Sequence, residues 1–83
     1  MQIARRATEQ LRQLVDRTTE GVTALERTSE GWRVEVEVVE TARVPNTTDI
    51  LAVYEVDLDS RGNLVGYTRT RRYLRGRQDG DAQ

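Results

Sequence analysis

The chain has no cysteine and no histidine. The first absence rules out a disulfide framework and thiolate chemistry. The second removes the commonest general base and the commonest metal ligand. Lysine is missing too, so all 13 basic residues are arginine, whose planar fork of donors suits carboxylates. The one proline is Pro45. No apolar run approaches the roughly 20 residues of a membrane-spanning helix, and no charged-then-apolar leader with a cleavage site stands at the start. These absences lead to the expectation of a cytoplasmic protein with no metal, no cofactor and no membrane contact.

What is present fits one small domain of 83 residues. A chain of this size hides only about 60 per cent of its unfolded surface, so modest stability is expected. Its net charge of −1 conceals strong segregation. Residues 20–60 are heavily acidic, whereas residues 61–77 hold six arginines and no acid. Two such blocks in one small chain are expected to lie beside each other.

The clearest pattern is Trp32-Arg33-Val34-Glu35-Val36-Glu37-Val38, apolar and charged by turns. Side chains alternate between the two faces of a strand. Trp32, Val34, Val36 and Val38 therefore share one face, as in an antiparallel strand with one side on a core. Upstream, Ile3, Ala7, Leu11, Leu14 and Val15 recur at helical spacing and predict an amphipathic helix ended by Thr18, Thr19 and Gly21. Val22–Arg27 reads as a first strand. Whether Ala24 or Leu25 faces the core is left open, since a one-residue slip exchanges the faces. The second strand is expected from Trp32 to about Arg43, ending before Pro45, which cannot donate to a ladder.

Ile50–Leu58 reads as the third strand and Leu64 to about Leu74 as the fourth. Between them Ser60-Arg61-Gly62 has the form of a three-residue hairpin loop with glycine in the left-handed position. A regular ladder from that hairpin would set Leu58 against Leu64, Val56 against Gly66, Val53 against Arg69 and Leu51 against Arg71. Residues 76–83 lack apolar side chains and predict a disordered tail. The expected fold is thus α+β: residues 1–75 form one N-terminal helix packed on a four-stranded antiparallel meander sheet. Leu11, Trp32, Val34, Val36, Tyr54 and Val56 should be buried together, with the other sheet face charged and open to water.

Catalysis finds little footing. Ser29 and Ser60 sit in turns with no base nearby in sequence, and Glu35 and Glu37 read as a solvated strand face. Asp57-Leu58-Asp59-Ser60-Arg61-Gly62 resembles the opening of a calcium loop. Arg61 stands at the fifth position, however, and Thr68 where a bidentate glutamate is needed, so a hairpin is the better reading. Arg69, Arg71, Arg72, Arg75 and Arg77, with Tyr67 and Tyr73 interleaved, form a basic, aromatic strand. Such strands can bind phosphates and stack bases. Acids on the neighbouring strands, Glu35, Glu37, Glu55 and Asp57, argue instead for pairing within the fold and against specific nucleic-acid binding. Within this strand Arg69, Arg71, Arg72, Tyr73 and Arg75 are the candidate contact surface for a protein partner.

Four segments in order are more specific than any one alone: Glu20–Arg27, Gly31–Glu40, Pro45–Val56 and Gly66–Tyr73. Together, through Pro-x-Thr-Thr-Asp and Arg-x-Arg-Arg-Tyr, they closely resemble the gas vesicle protein O (GvpO) family of actinobacterial type. The resemblance implies a non-enzymatic accessory protein that assists gas vesicle assembly by contacting other gas vesicle proteins, placed in the cytoplasm or on the vesicles. It implies no catalytic residue, no cofactor and no particular oligomeric state. Family members commonly carry a longer charged N-terminal extension, expected here to be short, absent or trimmed. A looser likeness is to the PepSY type of helix-plus-meander module, through the helix, the Gly-Val start and the Tyr-Glu-Val strand before an Asp-x-x-Gly-x-Leu turn. It implies a regulatory or inhibitory binding module.

Overall fold

A computed structural model describes residues 2–42, 44 and 49–75. Helix α1 (Ile3–Leu14) is followed by strands β1 (Thr18–Arg27), β2 (Gly31–Thr41), β3 (Ile50–Asp59) and β4 (Leu64–Leu74). The strands pair antiparallel in the order β1-β2-β3-β4, a simple meander with β1 and β4 at its edges. The α+β expectation holds. The tail expected at 76–83 lies outside the described residues.

The helix ends earlier than its sequence pattern suggests. Val15 is already extended, with φ −120° and ψ 114°, although its N–H still donates to the Leu11 carbonyl. Thr18, Thr19 and Gly21, expected to end the helix, instead begin β1. Branching at Cβ stiffens χ1 and favours the pleated conformation, so the threonines extend the strand. Of the apolar stripe, Ile3, Ala7 and Leu11 are buried and Val15 is half-buried, whereas Leu14 is exposed.

The helix covers one sheet face. Ile3, Ala7 and Leu11 pack with Val34, Val36, Val38, Ala52, Val56 and Leu58, and Trp32, Tyr54 and Leu64 close the margin. Trp32 and Tyr54, expected in the core, are only half-buried. Arg27 lies over the indole at 4.8 Å, a cation on a π face. Polar contacts fix the helix to the β3–β4 hairpin. Arg6 Nε and Gln10 Nε2 both donate to the Gly62 carbonyl, and Gln10 Oε1 accepts the Leu64 N–H. The hairpin itself follows the sequence reading. Gly62 has φ +86°, a region that side chains rarely enter. Asp59 Oδ1 accepts the N–H groups of Arg61 and Asn63. That carboxylate is engaged in the turn, as expected for a hairpin.

Register departs from the regular ladder at both edges. In β1, one extra residue is accommodated between Thr19 and Gly21 and another between Val22 and Ala24. In β4, extra residues fall at Val65 and at Thr70. Leu58 does face Leu64, as expected. Beyond Val65 the ladder shifts, so Val56 faces Tyr67 and not Gly66. Beyond Thr70 it shifts again, so Val53 faces Arg71 and Leu51 faces Tyr73, in place of Arg69 and Arg71. Bulges insert one residue against none on the partner strand and are common at sheet edges. The two extra threonines engage the neighbouring strand: the Thr70 hydroxyl donates to the Val53 carbonyl at 3.2 Å, and that of Thr23 to Glu35 Oε1 at 3.3 Å. In the first strand, Leu25 lies opposite Val34 and Ala24 opposite Glu35, which settles the face left open above. Leu25 nevertheless stays exposed.

The second sheet face is not simply open to water. Leu51 and Val53 point to it, yet they are 3 % and 0 % exposed. Their cross-strand neighbours are Val39 and Tyr73, and Glu37 and Arg71. A small apolar patch on this face is therefore buried, and among the described residues its cross-strand neighbours include the long side chains of Glu37, Arg71 and Tyr73. Amphipathic side chains can lay their stems on apolar surface while the charged head stays wet.

Candidate partner-binding surface

The Thr70 bulge decides where the five candidate residues point. Residues opposite one another in a ladder share a face. Arg69 faces Tyr54 and Arg72 faces Ala52, so both lie on the helix side. Arg71 faces Val53, Tyr73 faces Leu51, and Arg75 donates its N–H to the Asp49 carbonyl, so these belong to the reverse side. Without the extra residue, Arg69 and Arg72 would stand on opposite faces. The sequence reading treated the five as one surface; the structure divides them into two.

On the helix side, Arg69 Nη1 and Arg72 Nε both reach Glu40, the former at 2.7 Å. Glu40 is itself the extra residue at a register shift in β2, between Val39 and Thr41. Across the ladder, Val38, Ala52 and Arg72 are successive neighbours. The methyl of Ala52 leaves room for a β4 side chain to cross β3 and reach β2. The Glu40 side chain is 11 % exposed, while those of its two partners are about half exposed. Burial pushes the Glu40 carboxyl up, but the hydrogen bonds and charges of Arg69 and Arg72 outweigh it and hold the group below its ordinary value.

On the reverse side Arg75 is a clasp. Its Nε donates to Asp49 Oδ2 at 3.0 Å and its Nη1 to Glu20 Oε1 at 2.7 Å. One side chain thereby links the end of β4, the start of β3 and edge strand β1. The Arg75 hydrogen bond holds Glu20 below its ordinary value, and the two carboxylates raise Arg75 further above its own. Beside it, the Arg71 guanidinium lies 5.6 Å from the Tyr73 ring centroid.

Charge pairing within the fold was expected, but with different partners. Glu55 and Asp57 go to Arg33, at 3.5 and 2.9 Å. Arg69 and Arg72 take Glu40, and Arg75 takes Glu20 and Asp49 instead. One signal of this was present in the sequence. In Val38-Val39-Glu40 the alternation breaks, placing a charge in an apolar slot and a valine in a charged one. Among the described residues no group of three or more acids is placed to hold a metal ion, and no helix is long and apolar enough to cross a membrane. The chemistry this surface offers is recognition: guanidinium forks, two aromatic rings and an edge strand.

Comparison with known proteins follows that geometry. The family model described as "Gas vesicle synthesis protein GvpO" matches residues 1–79. A gas vesicle protein O of Streptomyces sp. (strain CB03234) is 52 % identical over 79 residues, covering 95 % of this chain and 62 % of that protein. Gas vesicle protein O1 of Halobacterium salinarum is 45 % identical over 71 residues, covering 86 % of this chain and 60 % of its own length. Gas vesicle protein O of Haloferax mediterranei is 42 % identical over 72 residues, covering 86 % and 51 %. The chain thus spans between half and two thirds of the length of these relatives. No solved structure matches it. Of the two resemblances drawn from the sequence, the comparisons side with the first.

Proposed function

Given that the chain belongs to the gas vesicle synthesis protein GvpO family, we propose that it assists vesicle assembly through non-catalytic contacts with other gas vesicle proteins. The family match along residues 1–79 carries this reading. The architecture supports it: a small sheet with an arginine- and tyrosine-rich edge strand, residue types enriched at binding hot spots. Arg69, Arg71, Arg72, Tyr73 and Arg75 remain the proposed contact region, now with two sides. Edge arginines also shield a strand from unwanted pairing, and both roles are compatible.

The test is genetic and biochemical. A host strain lacking this protein should form few or no vesicles. Restoring the wild-type protein with an affinity tag should rescue them and co-purify other gas vesicle proteins. Normal vesicle formation in the deletion strain would refute the assembly role. An Arg75→Glu variant is a poor probe of contact, because Arg75 holds Glu20 and Asp49 inside the fold. The helix-side pair is the better choice.

A further inference from the structure

We propose that the helix-side strip of β4, formed by Tyr67, Arg69, Arg72 and Leu74, receives an extended acidic segment of a partner protein laid along the sheet edge. This rests on the assembly-contact reading above and specifies the chemistry of the occupant.

Four observations converge on it. First, β4 is an edge strand, with β3 on one side and no strand of the described residues on the other. Second, the strip has a regular order on one face. Tyr67, Arg69, Arg72 and Leu74 face Val56, Tyr54, Ala52 and Ile50 in turn. The Thr70 bulge makes these four successive same-side positions, spanning about 20 Å at strand rise. Third, the outer two members are apolar surface, with Tyr67 42 % and Leu74 39 % exposed. Fourth, the inner two are held in place. Among the described residues each guanidinium commits one nitrogen to Glu40 and keeps its remaining N–H groups on the half-exposed surface.

The last point sets the kind of ligand. One carboxylate serves two guanidiniums, so the cluster keeps a net charge of about +1 and several donors in a fixed fork geometry. Glu40 thereby lowers the ordering cost of binding a second carboxylate, since the long side chains are already positioned. A bound strand places its side chains about 4.5–5.5 Å from those of β4. The matching segment therefore reads apolar-x-acid-x-acid-x-apolar. That pattern is the same in either direction, so the strip does not dictate parallel or antiparallel entry. The bulges at Val65 and Thr70 interrupt the edge ladder, so recognition falls on side chains more than on backbone pairing. A nucleic acid is disfavoured. Glu40 lies beneath the pair, Arg75 is taken up by Glu20 and Asp49, and the whole chain is −1.

The experiment uses the intact chain and a labelled peptide, Leu-Thr-Glu-Thr-Glu-Thr-Leu, followed by fluorescence anisotropy. Controls are the same peptide with glutamine for glutamate and a single-stranded oligonucleotide of matching length. The acidic peptide should bind, the glutamine peptide at least about tenfold more weakly, and about 0.5 M salt should suppress the difference. Removing the arginines alone would strand a nearly buried carboxylate, so the main variant is Glu40→Gln/Arg69→Gln/Arg72→Gln. Tyr67→Ser and Arg72→Lys are milder companions, and circular dichroism checks all three. Each folded variant should lose affinity for the acidic peptide, whereas Arg5→Gln on the helix should not. Equal binding of both peptides, tighter binding of the oligonucleotide, or unchanged affinity in the folded variants would overturn the proposal. The two levels fail separately. A deletion strain without vesicles beside a non-binding peptide leaves the assembly role intact and removes this site. A deletion strain with normal vesicles removes the assembly role, whatever the peptide does.

Discussion

The two faces of this one sheet are sealed by different means. On the helix side, Val34, Val36, Val38, Ala52, Val56 and Leu58 are covered by a secondary-structure element whose apolar stripe fits them. On the reverse side no helix of the described residues lies over Leu51 and Val53, yet they are as well hidden. Among the described residues their cross-strand neighbours there include Glu37, Arg71 and Tyr73, and beyond the end of β4 Arg75 clasps Glu20 and Asp49. Alternation along a strand says which residues share a face. It does not say that the face bearing the charges is wet. In a chain of 83 residues with little apolar material to spare, a second small buried patch is a substantial share of the burial.

The helix side should be the easier to break. Leu11 is completely buried at the centre of the helix contact. Leu11→Ala should lower the unfolding free energy by about 2–5 kcal/mol in urea denaturation, through lost transfer energy and the cavity left behind. A loss under about 1 kcal/mol would mean that the helix contributes little and the sheet stands largely alone.

Gly31 belongs to neither face and calibrates the comparison. Its backbone passes so close to Leu58 and Asp59 that a Cβ would run into the Leu58 carbonyl oxygen. The obstacle is backbone and not a flexible side-chain end, so it cannot swing aside. Gly31→Ala should cost about 1–3 kcal/mol by the same measurement, although it adds apolar surface.

The reverse side should differ in its pH dependence. Arg75 holds Glu20 below its ordinary carboxyl value in the folded protein. A carboxylate depressed by folding contributes stability that is present above its unfolded value, near 4.5, and that disappears as pH falls through the lower folded value. Arg75→Met keeps an apolar stem but loses the charge. It should lower the denaturation midpoint at neutral pH by less than either substitution above, and its difference from wild type should shrink as pH drops below about 4.5. A gap that stays constant down to strong acid would show that Arg75 acts through packing alone.

How legible all this was follows from what each signal reports. Alternation in Trp32–Val38 and helical spacing in Ile3–Leu11 report local periodicity, and the helix-on-meander fold followed from them directly. The Asp59–Asn63 turn was legible because Gly62 has a conformational requirement that few residues meet. The bulges at Glu20, Thr23, Val65 and Thr70 were not legible, since each is a compromise between edge twist and packing that leaves no compositional mark. Because they were missed, Arg69 and Arg71 were assigned the wrong partners, and Arg69 was set on the face of Arg71 instead of that of Arg72. Glu40 could have been noticed: it occupies the slot that alternation reserves for an apolar side chain. Its meeting with Arg69 and Arg72 depends on the small size of Ala52 on the strand between them, which emerges only once three strands are in register.

The claim that both faces are sealed is tested most directly by two matched substitutions, Val36→Ala on the helix side and Val53→Ala on the reverse. Both valines are fully buried. Equilibrium urea denaturation at neutral pH should show each losing about 1–3 kcal/mol, with the two values similar. A Val53→Ala midpoint equal to wild type, beside a clear loss for Val36→Ala, would mean that the reverse face is solvated and that only the helix side forms a core.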